Sequence, residues 1–466
     1  MVSCASNDVV AEATIENLGK RGVIGTGICF LDHMVDQLTS HGQLGVSLRV
    51  RIGGGDALAP LRDYAVGALA ARAHDDDVAA ACGGALGGAL RSVAAAARGD
   101  GAAAAPAPTV FCCPLDEAYA EATLDLFPDA ARAGRCACLL EPYGTMTARP
   151  GGRRWIGKYR TDLTPRFWRA LAAALGCDLT LRRVRGHNAH HVLESAFKAF
   201  ARAFRKALDA LAPPVAWASP AAPRRAARQR ATKETTIEVA VDLDAPWAAA
   251  DPPRGPLEAW TGAAVTPGFL ASTVEETPRL ATGVPALDDV LSTFAEHAGI
   301  LVAARCAGDR YIDDHHTAED VAITVGQCLC DALGDKAGLT RMASADRERD
   351  GVEVRAVLDL SNRPNFHSDL AFDEEYLGGD AAADAGDGEC GAVLSSEMLV
   401  HALESLTLET RATLHLEGRR DAGGEGHTRP LALAAAAAYG AALGQTIRID
   451  PRRKGAVASS KGTLSK

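Results

Sequence analysis

Residues 26–41 read TGICFLDHMVDQLTSH, and residues 282–297 read TGVPALDDVLSTFAEH. They align without a gap and share Thr-Gly, Leu-Asp and a final His, at His41 and His297. Further matches surround them in the same order. Glu12-Ala-Thr-Ile matches Glu234-Thr-Thr-Ile, and Thr123-Leu-Asp-Leu matches Val357-Leu-Asp-Leu. Leu179-Thr-Leu-Arg-Arg matches Ala412-Thr-Leu-His-Leu, and Gly186-His187 matches Gly426-His427. Such self-similarity makes the chain two diverged copies of one unit. The copies cover 5–212 and 224–466, and a Pro-rich linker over 213–223 joins them. The shared histidines suggest a shared structural role.

Within each copy, the runs GVSLRVRI, TIEVAVDLD, VEVRAVLDL and TRATLHLEG predict strands. Helices are predicted over 189–210 and 318–334, the first from Val192, Ala196, Phe197, Phe200 and Phe204 at helical spacing. Strands followed by helices give an α+β class, with helices on one face of a sheet. Residues 93–108 read as a loop or frayed helix end, and 245–280 and 373–391 as irregular segments.

The 466 residues carry 49 basic and 59 acidic side chains, a net charge of -10. That excludes broad nucleic-acid binding, which needs basic surface to displace counterions. A small basic pocket for a phosphorylated metabolite remains compatible with it. None of the 12 Cys is spaced as CxxC, and they read as reduced thiols in a cytosol-like compartment. No uncharged apolar run reaches membrane-spanning length, so no membrane contact is expected. The acidic N-terminus resembles neither a signal nor a transit peptide; the compartment is then cytoplasmic, or plastid if a transit peptide has been removed.

Two segments carry the chemistry: Gly186-His-Asn-Ala-His190-His191-Val-Leu-Glu194 and Asp313-Asp314-His315-His316-Thr-Ala-Glu319-Asp320. Both contain HHxxE. On a helix, the first His and the Glu are four apart and share a face. The adjacent His points about a quarter-turn away. Imidazole with carboxylate suits a divalent transition ion. One such motif has a bland reading as chance surface histidines; two in one chain favour metal. Among single histidines, His33 and His415 are weaker ligand candidates, and His74, His367 and His401 read as surface or core. Ser459, Lys461, Arg341 and Arg363 are candidate phosphate partners, set against ordinary solvated roles.

At these residues the chain resembles the imidazoleglycerol-phosphate dehydratases of histidine biosynthesis. The resemblance rests on FLDHMVDQ, LDEAYAEATLDL, DDHHTAEDVAITVGQCLCDALGDKAGLTR, LDLSNRP, TLHLEG, GHNAHHVLESAFKAFARAFRKAL and SSKGTL. Family members carry all motifs in one unit; here each copy lacks half, and the losses are complementary. Copy one keeps His33 and Gln37 where copy two has Asp289 and Thr293. It keeps His190, His191, Glu194 and Lys198, set opposite Pro430, Leu431, Ala434 and Ala438. Copy two keeps His315, His316 and Glu319, set opposite Arg62, Asp63 and Val66. It keeps His415 opposite Arg182, and Arg363 opposite Asp129, and alone ends in SSKG.

The resemblance implies a fold like domain 2 of ribosomal protein S5, repeated, and two Mn2+ per active site. His33, His190, His191, Glu194, His315, His316, Glu319 and His415 would hold the ions, in one composite site built from both copies. The substrate would be imidazole glycerol phosphate, dehydrated to imidazole acetol phosphate. Glu12 or Glu234 would be the acid/base. Lys198, Arg341, Arg363, Ser459 and Lys461 would hold the phosphate, and Gln37 would contact substrate or orient a ligand. A homo-oligomer of about twelve chains would match the family's closed shell. The competing readings are a scaffold or regulatory homologue with decayed sites, and a different metal-dependent lyase or hydrolase.

Overall fold

The computed structural model describes residues 1–53, 74–99, 106–145, 150–247, 279–377, 393–420, 427–459 and 463–464. The chain divides into two compact units, residues 1–216 with 458–463 and residues 217–457 with 464–466. Each unit uses one block twice: a hairpin, a short strand, a helix, a strand and a second helix.

The first block of unit one is β1 (Val2–Ser6), β2 (Val9–Asn17), β3 (Ile24–Gly25), α1 (Cys29–Gly42), β4 (Leu44–Ile52) and α2 (Asp75–Arg98). The second is β5 (Thr109–Leu115), β6 (Ala118–Asp125), β7 (Cys136–Leu139), the small hairpin β8 (Trp155–Ile156) and β9 (Tyr159–Arg160), α3 (Leu163–Leu175), β10 (Asp178–Arg185) and α4 (Ala189–Asp209). Unit two follows with β11 (Arg225–Ala231), β12 (Thr235–Asp242), β13 (Leu280–Ala281), α5 (Pro285–Ala298), β14 (Leu301–Gly308) and α6 (His315–Leu333). Its last block is β15 (Met342–Arg349), β16 (Val352–Asp359), β17 (Asn365–Ser368), α7 (Ser396–Glu409), β18 (Thr413–Arg420) and α8 (Thr428–Thr446). In each of the four-stranded sheets among the described residues, the fourth long strand of the block lies between the second and the short third strand. It is antiparallel to the second and parallel to the third.

Period-two patterning explains how the sheets bury one face. Along β4, Leu44, Val46, Leu48 and Val50 are buried, while Arg49 and Arg51 face outward. The helices cover the apolar face and pair across blocks: α1 with α4, α2 with α3, α5 with α8, and α6 with α7. In unit one, Trp168 of α3 packs on Phe197 and Phe200 of α4, at ring distances of 4.5 and 5.0 Å. In unit two the helix equivalent to α4, α8, is Ala-rich and packs on α5. A Cβ on Gly440 would stand 2.2 Å from the Phe294 carbonyl oxygen of α5. Gly83 and Gly87 hold α2 close to α3 in the same way: a Cβ on either would stand 2.3 Å from a backbone oxygen of α3. By length and composition α2, which carries Arg91 within it, is apolar enough to cross a membrane. Most of that stretch is buried inside the protein, as suits a core helix.

Helix ends and strand pairing revise several sequence matches. The helical start at Ala189 corresponds to the start at Thr428, so His190, His191, Glu194 and Lys198 correspond to Arg429, Pro430, Leu433 and Ala437. Thr123 and Val357 do correspond, but they pair with Thr180 and His415, so His415 matches Thr180 rather than Arg182. Glu12 lies opposite Arg49 and Glu238 opposite Arg305, so Glu12 matches Glu238 rather than Glu234. Connections of unequal length, such as 18–23 against 243–279, defeat gapless matching. Arg62, Asp63 and Val66 lie outside the described residues. Counting back from the buried Val78 and Val321, Glu319 corresponds to Asp76. The matched His41 and His297 do not share an environment: His41 is buried and His297 is exposed.

The glycine contacts make a direct prediction. Gly440→Val should destabilise the protein by about 1–3 kcal/mol through overpacking. Gly151→Ala, where nothing lies within 4 Å, should change stability by less than about 0.5 kcal/mol. Urea unfolding midpoints compare the two.

Candidate metal centres

The turn into α4 decides the geometry in unit one. Gly186 has φ 123°, and a Cβ there would meet Ala118 at 2.8 Å, so only glycine closes this corner without strain. Asn188 then caps the helix, its side-chain oxygen accepting from the His190 N–H at 2.9 Å. This sets His190 and Glu194 on one face of the first turns, with Nε2 and Oε2 3.1 Å apart. The facing helix α1 brings His33 Nε2 to 3.6 Å from the same Glu194 oxygen. Lys198, a turn further on, holds the other oxygen at 2.9 Å. The ligand atoms of His33, His190 and Glu194 all lie within 4.8 Å of one another. Two imidazoles and a carboxylate at that spacing fit a divalent transition ion.

Burial of Glu194 works to raise its pKa. Lys198 and hydrogen bonds from His190, His33 and Lys198 outweigh that and hold the carboxyl well below the usual range. His191 turns away from this cluster. Its Nδ1 donates to Glu117 at 2.7 Å, and the Asn188 N–H donates to the same carboxylate at 2.8 Å. Those bonds overcome burial and lower the Glu117 pKa.

Unit two builds a second cluster at a different pair of helices. On α6, His315 Nε2 is 3.4 Å from Glu319 Oε2. From α7, His401 Nε2 reaches Glu319 Oε1 at 3.2 Å. The ligand atoms of these three residues lie within 4.8 Å of one another. Asp314 fixes the junction by accepting from the Ser395 N–H at 2.7 Å and its hydroxyl at 2.9 Å, tying the start of α6 to the start of α7. His316 again turns away. Its Nδ1 donates to Asp309 at 3.1 Å, which raises the His316 pKa, and its Nε2 is 3.8 Å from Glu234.

His401 therefore stands where His415 was expected. His415 is fully buried on β18 and stacks on His367 at 4.9 Å, outside both clusters. The signal for His401 is its place on the helix facing HHxxE, as His33 faces the other one; a block-by-block comparison would have found it. Glu12 lies 3.6 Å from Arg51 on its sheet, whereas Glu234 stands beside His316. Gln37 is buried, its amide donating to the His33 carbonyl at 3.0 Å. Arg341 is buried and forked onto Asp359 at 2.7 and 2.8 Å. Arg363 lies in a turn whose backbone oxygen accepts from Thr413 at 2.8 Å. Ser459 is half-buried, and Lys461 lies outside the described residues.

A carboxyl with a lowered folded pKa stabilises the fold fully above its unfolded value and loses that contribution as pH falls. In metal-free protein, the stability difference between native chain and Glu194→Gln should be constant from pH 7 down to about 4.5. Below that it should shrink by about 1.4 kcal/mol per pH unit. Urea unfolding across pH measures this; a difference unchanged at pH 3 would contradict the ion-pair account of Glu194.

The family model for imidazoleglycerol-phosphate dehydratase matches residues 26–204 and 282–443. The dehydratase of Neurospora crassa is 38% identical over 245 residues, covering 52% of this chain and 97% of the relative. That of Salinibacter ruber is 35% identical over 246 residues, covering 52% and 96%. The crystal structure of the Staphylococcus aureus dehydratase aligns with TM-score 0.34 and 21% identity, covering 48% of this chain and 99% of that one. Matches over both halves, by relatives about half as long, show that the chain belongs to the imidazoleglycerol-phosphate dehydratase family, hydro-lyases of histidine biosynthesis, as a tandem duplication.

Proposed function

We propose that the chain dehydrates D-erythro-imidazole glycerol phosphate to imidazole acetol phosphate, using one composite two-metal site to which each copy contributes. The observation that carries this is the pair of His/His/Glu clusters, one per unit, at helix pairs that do not correspond. His33, His190 and Glu194 would hold one manganese ion, and His315, Glu319 and His401 the other. Each adjacent histidine, His191 and His316, is turned out of its own cluster and would complete the set of an ion held by other residues. Bound divalent ions supply Lewis acidity toward the imidazole ring and so favour loss of a non-acidic carbon-bound proton.

The remaining work belongs to the chain's own groups. Asp309 and Glu117 accept from His316 and His191 and so orient the rings. Glu234, half-exposed at the start of β12, is the group to take the carbon-bound proton and return it to the departing hydroxyl. Glu12 is the weaker candidate because Arg51 already engages it. Arg363, Ser459 and Lys461 would clamp the phosphate by charge-assisted bonds. Lys198 and Arg341, committed to Glu194 and Asp359, would serve it mainly by holding neighbouring groups in place. We further propose a homo-oligomer of about twelve chains, in the cytoplasm or a plastid; a wheat relative, 31% identical, is named chloroplastic.

The full-length chain stripped of metal should not turn over imidazole glycerol phosphate, and added Mn2+ should restore product. A folded chain that binds Mn2+ and makes no product would contradict the proposal. Glu234→Gln should lower kcat by about 10²–10⁴-fold with little change in KM, while Glu12→Gln should stay near native. Changing His191 and His316 together should cost no more activity than changing either alone, because both serve one site.

A further inference from the structure

The block architecture gives each unit two helix-pair junctions, and the four junctions carry only two kinds of side-chain set. The α1/α4 junction holds His33, His190 and Glu194. Its counterpart in unit two, α5/α8, holds an ion pair between Asp289 and Arg429. Asp289 is the fifth residue of its helix, as His33 is; Arg429 is the second, as His190 is. Leu433 takes the place of Glu194. The α6/α7 junction holds His315, Glu319 and His401. Its counterpart in unit one, α2/α3, holds Asp76 with Arg166 at 3.2 Å and Arg160 at 3.1 Å. Arg166 lies three residues after the buried Leu163, as His401 lies three after the buried Met398, and Asp76 corresponds to Glu319.

At both altered junctions a guanidinium therefore lies where an imidazole cluster lies in the other unit. The pairs are partly exposed, so they add little to stability. Their chemical consequence is different: a fixed positive charge that cannot be deprotonated sits among the coordinating positions. We propose that Asp289–Arg429 and Asp76–Arg166 mark vacated metal positions, in which arginine replaces the cation and keeps divalent ions out. This rests on reading the histidine clusters as metal sites.

The test converts one position back. Full-length Asp289→His/Arg429→His/Leu433→Glu is dialysed against Zn2+, and ions per folded chain are counted beside native protein. One more ion than native is expected. Leu433 is buried, so the double variant without the Leu433 change runs in parallel and should also gain one ion, more weakly held. Equal counts in native chain and folded variants would overturn the proposal. A native chain binding no ion, with variants binding one, would support the vacated position and sink the metal reading of the native clusters. No ion in any of them would overturn both.

Discussion

The site depends on one recurring contact: a carboxylate in the first turns of one helix reaching an imidazole on the helix packed against it. Glu194 meets His33 across α1 and α4, and Glu319 meets His401 across α6 and α7. Each contact joins the two blocks of a unit, so neither block could form it alone. What keeps it is close packing. Gly326 at the α6/α7 crossing and Gly186 at the strand-to-helix corner before α4 let backbones approach closely beside the ligand helices. A tighter or looser crossing would move the imidazole, because packed interiors leave little room to compensate.

Duplication relaxed that constraint. With two junctions of each kind in one chain, one of each kind could lose its histidines, and the two that kept them are of different kinds. Unit one keeps the junction of its first and last helices, and unit two keeps the junction of its middle pair. Arginine and aspartate stand at the other two. The second histidine of each HHxxE is spared in both units and held by a carboxylate from a hairpin turn or strand end nearby. Glu117 and Glu234 each immediately precede the second strand of their block, and each faces that histidine.

Much of this was legible in the residues. Alternating runs gave the strands, HHxxE gave the ligand helices, and the repeat gave two units. The unreadable part was register. Helices and strands that match across copies are separated by loops of unequal length, and pairing residues without gaps put His415 opposite Arg182 and Glu12 opposite Glu234. A histidine such as His401, on a helix with no motif of its own, shows its chemistry only when the facing helix is in place. The buried pairing of Arg341 with Asp359 was equally invisible, since nothing in a linear sequence distinguishes a forked internal arginine from a solvated one.

The most direct test counts tightly bound manganese per full-length chain in native protein, His190→Ala and His401→Ala, with His415→Ala as a control. Two ions in the native chain, one in each of the first two variants and two in any His415→Ala chain that folds would establish one metal centre in each unit. Four ions in the native chain, or loss of an ion with His415 but not with His401, would contradict it.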